Sequence, residues 1–88
     1  MPFIYVLRSL TTDRSYTGAT SNLEVRVVQH NSGQSSSTKP YRPWILVYQE
    51  EFETMAEALR RERVLKSGKG RDELRMLLEP ESVAPSRR

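Results

Sequence analysis

Phe3-Ile4-Tyr5-Val6-Leu7-Arg8 and Ser15-Tyr16-Thr17-Gly18-Ala19-Thr20 decide how this chain folds. The first run is β-branched and aromatic almost throughout, the composition of a strand. Side chains alternate along a strand, so Phe3, Tyr5 and Leu7 face one way and Ile4 and Val6 the other. Both faces are apolar, which predicts a strand covered on both sides. Thr11, Thr12 and Asp13 make a turn, and the second run returns as the partner strand of a hairpin. Gly18 inside it marks a bulge or a close approach to the backbone.

The rest of the order follows outward from this hairpin. Ser21 with Glu24 is a capping box. It predicts a helix to about residue 31, with Leu23, Val27 and Val28 toward the core and Gly33 just past the end. Residues 32–43 form a polar loop of about 12 residues, long enough in a compact domain to be functional or mobile. Trp44-Ile45-Leu46-Val47-Tyr48 reads as a third strand continuing to Phe52. Thr54 with Glu57 is a second capping box, opening a helix to about Ser67 that Gly68 and Gly70 stop. Met55, Ala58, Leu59 and Leu65 share one stripe of that helix. A short helix over 71–78 follows, and the tail 79–88, with two prolines and no periodicity, reads as disordered. The order is ββαβαα. It predicts an α/β fold with a small three-stranded, mostly antiparallel sheet and helices packed on it, in one domain over residues 1–78.

Composition removes several classes of function. The 88 residues contain no cysteine and one histidine. That excludes a disulfide framework, a thiol nucleophile, a cysteine zinc site and a multi-histidine metal site. The longest apolar run is only a few residues, so the sequence predicts no membrane span and no signal peptide, and a soluble, intracellular, cytoplasmic protein. The net charge of +3 rests in the first 44 residues; the remainder is neutral but sorted into blocks. Glu50, Glu51, Glu53 and Glu57 are followed by Arg60, Arg61, Arg63, Lys66 and Lys69. This basic stretch is either a solvated helix face or a phosphate-contacting surface.

Two groups of polar residues stand out. Glu62 falls in the middle of the second helix's apolar stripe, where a carboxylate needs an arginine partner, a route to the rim, or a metal ion. Arg26 and His30 are four residues apart on one face of the first helix, with Asn22 one turn earlier.

The set as a whole resembles the GIY-YIG nuclease superfamily. Phe3-Ile4-Tyr5 and Tyr16-Thr17-Gly18 resemble its two signature motifs, with the tyrosines eleven residues apart. Arg26 lies ten residues after the second tyrosine, His30 follows one turn on, and Ala58 to Lys66 resembles the family's second helix with Glu62 within it. The pattern covers residues 3 to about 78 and is most similar to short stand-alone members and to the N-terminal nuclease domain of the bacterial excision-repair endonuclease. Phe3 replaces the first motif's glycine, Ala19 stands where some members carry a lysine, and the late asparagine of some relatives has no counterpart.

The resemblance implies a metal-dependent endonuclease that hydrolyses DNA phosphodiester bonds. Branched or damaged DNA in repair or recombination is the implied substrate, with a protein partner for targeting. Its catalytic residues would be Tyr5, Tyr16, Arg26, His30 and Glu62, with Glu62 holding Mg²⁺ or Mn²⁺. Arg26 offers planar, permanently charged donors for the scissile phosphate. Tyr5 is the first choice of general base and His30 the alternative. Lys39, Tyr41 and Arg42 in the loop, and Arg60, Arg63, Lys66 and Lys69 on or after the second helix, are the candidate nucleic-acid contacts. The competing readings are a catalytically weak or inactive nucleic-acid-binding subunit of a larger complex, and a protein-interaction domain.

Overall fold

The computed structural model describes residues 1–68. The expected short helix over 71–78, the tail 79–88, Gly70 and the candidate contact Lys69 lie outside the described residues. Strand β1 (Phe3–Ser9) is the middle of a three-stranded sheet ordered β2-β1-β3, with β2 (Ser15–Thr20) and β3 (Trp44–Glu51) both antiparallel to it. Helix α1 (Leu23–Ser32) follows β2, and helix α2 (Met55–Lys66) follows β3. A short 3-10 turn at Lys39–Tyr41 breaks the long loop.

The two apolar faces of β1 build two cores. Ile4 and Val6 pack with Ala58 and Leu65 of α2, while Tyr5, Leu7 and Trp44 pack with Leu23 and Val27 of α1. The strand is thus covered on both sides, as its composition predicts. Each large aliphatic side chain so buried contributes about 1.5–3 kcal/mol, enough to hold a helix on either face of a short sheet. Of the two readings of Gly18, the close approach holds, and the bulge lies elsewhere. The register shifts between Val6 and Leu7 against β3, with Val47 as the extra residue. This turns both Val47 and Tyr48 toward the α2-side core. From there the Tyr48 hydroxyl donates to Glu50, whose carboxylate also accepts Arg61 Nε at 3.0 Å and Nη2 at 3.1 Å. That bidentate pair ties β3 to α2.

Three local expectations are corrected. The cap of α1 is Asn22, not Ser21: its backbone is extended and its Oδ1 accepts Val25 N–H at 3.2 Å. Asparagine caps as well as serine does, so the box with Glu24 is not formed. Val28 is 65% exposed, because the inward stripe of α1 runs through Leu23, Val27 and His30 and leaves Val28 on the far side. Leu59 is 45% exposed, since Ala58 and Leu65 carry the centre of the α2 contact. Thr54 forms its capping box with Glu57, and Gly33 ends α1 at φ 84°, both as expected.

Candidate active site

Pairing between β1 and β2 sets Tyr5 opposite Gly18 and Leu7 opposite Tyr16. Both tyrosines therefore rise on the α1 side of the sheet. Their ring centroids are 6.2 Å apart, and His30 from α1 enters between them, 5.9 Å from Tyr5 and 4.8 Å from Tyr16. Gly18 is what lets Tyr5 lie there. A Cβ at residue 18 would stand 2.6 Å from the Tyr5 hydroxyl oxygen and 3.0 Å from Tyr16 Cε2. Tyr5 is 1% exposed, packed in the α1-side core. Gly18→Ala is therefore expected to displace the Tyr5 hydroxyl, costing about 1–3 kcal/mol of stability and about a hundredfold in any reaction that hydroxyl serves. Thermal unfolding beside a DNA-nicking assay measures both; unchanged nicking would refute the placement.

A chain of polar groups runs inward from Tyr5. Its hydroxyl oxygen is 3.0 Å from His30 Nε2, and His30 Nδ1 is 2.8 Å from Thr38 Oγ1. His30 is fully buried and Thr38 nearly so. Thr38 comes from the long polar loop. Its carbonyl accepts Trp44 Nε1–H at 3.0 Å, while Asn31 exchanges two hydrogen bonds with the Trp44 backbone. The loop is thus pinned across α1 and the start of β3. Thr38 is the site residue that the sequence reading missed. A threonine in a serine-rich polar stretch carries no local sign of burial.

Arg26 lies at the rim, half-buried, with Nη1 donating to Gln29 Oε1 at 2.9 Å. Burial pulls its pKa down, but the adjacent Tyr5 and Tyr16 hydroxyls outweigh that and raise it. The same neighbourhood acts on the other groups. Burial pushes the Tyr5 phenol up to about 12, with Arg26 opposing and Tyr16 and Glu62 adding to the rise. Burial, then the Arg26 charge, holds His30 below the usual histidine value. His30 is therefore neutral in the folded protein. As pH falls through about 6.5 the unfolded chain takes up a proton that the folded state refuses, and stability is lost. The loss begins as pH falls through the unfolded value and ends where the folded imidazole itself takes up a proton. Burial raises the Glu50 pKa, but Arg61 and Tyr48 outweigh it and lower it, so its contribution is lost only as pH falls into and below the ordinary carboxylate range. The pH 5–7 window thus belongs to His30. Urea midpoints across it should slope in the wild type and be flat in His30→Gln.

Glu62 reaches the same site from α2. Its side chain is 18% exposed and its Oε2 is 2.6 Å from Lys66 Nζ, one helical turn on. Lys66 Nζ in turn lies 5.9 Å from the centre of the Tyr16 ring. Arg61, one alternative partner for Glu62, is taken by Glu50. Among the described residues no cluster of three or more His, Asp or Glu side chains comes together. The oxygen donor set is thus one carboxylate that already holds a cation. A lone carboxylate fits an ion that binds through one such group with waters and phosphate oxygens, as Mg²⁺ does.

The structure brings Tyr5, Tyr16, Arg26, His30, Glu62 and Lys66 together. Lys39 and Arg42 line a hollow with Asn31 and Ser36 on the loop side, and Arg63 is exposed on α2. Arg60 points elsewhere, into a cleft with Phe52, Glu57 and Val64. The Tyr41 ring is half-buried, with Arg14 4.4 Å over it and Trp44 against its edge.

Residues 1–75 match the family model described as the GIY-YIG catalytic domain. The chain belongs to the GIY-YIG family. It is 40% identical over 79 residues to a UPF0213 protein of Staphylococcus haemolyticus, covering 88% of this chain and 94% of the relative. It is 42% identical over the same length to a UPF0213 protein of Staphylococcus aureus, with the same coverage. The solution NMR structure of a UPF0213 protein from Bacillus halodurans is similar with TM-score 0.52 and 30% identity, covering 88% of this chain and 85% of that one. Membership in the GIY-YIG family implies nuclease chemistry, hydrolysis of a phosphodiester, with DNA as the ligand and a divalent metal as such nucleases generally use. No helix among the described residues is long and apolar enough to cross a membrane.

Proposed function

We propose that this GIY-YIG protein is a Mg²⁺- or Mn²⁺-dependent endonuclease that nicks branched or damaged DNA, in repair or recombination, with a partner protein for targeting. The observation that carries the reading is the chain from Tyr5 through His30 to Thr38, buried behind Arg26 and Glu62.

Tyr5, His30 and Arg26 do the protein's share of the chemistry. The Tyr5 oxygen takes a proton from the attacking water as its own proton passes to His30 Nε2. With its pKa raised, the phenol does not ionise alone, and the neutral imidazole behind it supplies the acceptor. The question of base, Tyr5 or His30, becomes one of sequence along a single relay. Arg26 donates to the phosphate oxygens on which charge grows. A bound phosphate also offsets the Arg26 charge that holds His30 down, so the relay gains proton affinity when substrate is in place. Tyr16 walls the imidazole and keeps its hydroxyl beside Arg26. Glu62 would hold the metal, which would supply Lewis-acid stabilisation of the leaving oxygen. Lys39, Arg42, Arg63 and Lys66 contact the DNA backbone on either side, and Tyr41 keeps Arg14 at the rim.

The test is nicking of branched, flapped and plain duplex DNA with Mg²⁺ or Mn²⁺, and with EDTA. Cleavage that needs the metal and favours branched DNA is expected. The few basic side chains around the site predict weak affinity, with a log Kd against log salt slope of roughly 4 or less in magnitude. Tight binding with no cleavage of any substrate would instead favour the DNA-binding subunit.

A further inference from the structure

We propose that Thr38 is a positioning residue of this site: its Oγ1 accepts the Nδ1 proton of His30 and fixes the tautomer that leaves Nε2 bare toward Tyr5. The catalytic consequence rests on the nuclease reading; the tautomer does not.

Three protons must be placed on the chain of groups, one each from Tyr5, His30 and Thr38. Suppose the Thr38 hydroxyl donates to Nδ1. His30 then carries its proton on Nε2 and aims it at the Tyr5 oxygen, 3.0 Å away. That oxygen already faces the Arg26 guanidinium. No protein group bonded to Tyr5 among the described residues would then accept the Tyr5 proton, which would be left to water alone. In the opposite order Tyr5 donates to Nε2, Nδ1–H donates to Thr38 Oγ1 at 2.8 Å, and the Thr38 hydroxyl donates to the Ser35 carbonyl at 3.4 Å. Only this order gives each of the three protons an acceptor within the protein, as buried polar groups favour. The tautomer of an imidazole is set by the hydrogen bond at its other nitrogen. Here that bond goes to a neutral hydroxyl, not to a carboxylate. It orients the ring without raising its basicity as a charged partner would.

Thr38 is itself held from both sides. Its amide donates to the Ser35 carbonyl at 3.2 Å, and its carbonyl accepts from Trp44 Nε1 and from the Tyr41 amide. The loop thus presents one hydroxyl, 2% exposed, to the back of the imidazole. Valine has the shape of threonine without the oxygen, and serine has the oxygen without the methyl.

The deciding measurement is ¹⁵N-edited NMR of the full chain at pH 8. His30 is the single histidine, so both ring nitrogens are assigned without ambiguity. In the wild type Nδ1 is expected to carry the proton and Nε2 to be bare. In Thr38→Val the proton moves to Nε2 or divides between the two; in Thr38→Ser it stays on Nδ1. In the nicking assay Thr38→Val loses at least about tenfold in kcat with KM unchanged, and Thr38→Ser restores it. A wild-type proton on Nε2, an Nδ1 proton that persists in Thr38→Val, or a kcat loss that serine does not rescue overturns the proposal. Should Thr38→Val not fold, the wild-type and Thr38→Ser spectra decide by the same criterion. The expected spectra together with a wild type that cuts no DNA would refute the nuclease reading and leave the tautomer assignment standing.

Discussion

Tyr5→Phe is expected to lower DNA cleavage by about 10²–10⁴-fold, the range over which positioned general bases act. The substitution removes one oxygen and keeps the ring, which is 1% exposed and central to the α1-side core. It leaves His30 Nε2 buried with no donor, at a cost of about 1–3 kcal/mol. For a domain of this size each kcal/mol lowers the melting temperature by roughly 4–8 °C, so a thermal melt of the variant accompanies the assay. Arg26 and the surrounding cations are untouched, so DNA affinity should stay close to wild type. The loss therefore falls on kcat. Cleavage within about threefold of wild type would remove Tyr5 from the relay and make its hydroxyl a structural group.

Glu62→Gln tests the metal side of the same site and should bring cleavage to background. The amide keeps the shape and one acceptor oxygen but not the charge, and a hard dication binds poorly without it. Lys66 loses the carboxylate now 2.6 Å from its ammonium. With one negative charge gone beside the phosphate path, DNA binding in EDTA should be equal or tighter. A readout independent of cleavage is the effect of metal on stability. At a Mg²⁺ or Mn²⁺ concentration tenfold above its Kd, binding stabilises the wild type by roughly 1.4 kcal/mol, and the variant should show no such shift. Metal-dependent nicking that survives in Glu62→Gln would place the ion elsewhere. A metal-induced shift that survives without nicking would separate binding from catalysis at Glu62.

Much of this could be read in the residues because much of it is local. The alternation of Phe3–Leu7 makes a strand with two apolar faces wherever it lies. Thr54 and Glu57 cap a helix by bonds that span three residues. Arg26 and His30 share a face because helices repeat every 3.6 residues. The failures are also local in origin: Ser21 and Asn22 are near-equal caps, and periodicity places Leu23 and Val27 of α1 inward but wrongly adds Val28. His30 completes that inward side, where its two ring nitrogens find partners in Tyr5 and Thr38.

From sequence alone came the strands, the two helices, the resemblance in the spacing of Tyr5, Tyr16, Arg26, His30 and Glu62, and the exclusion of a thiol nucleophile and of cysteine or multi-histidine metal sites. These follow from short-range periodicity and from composition. Tertiary structure alone decided that Gly18 is small for the sake of the Tyr5 hydroxyl, that Glu62 pairs with Lys66 while Glu50 takes Arg61, and that Thr38 stands behind His30. Each of these joins groups from different elements. Sheet register, helix placement and loop packing settle such contacts only once the whole chain has closed around them.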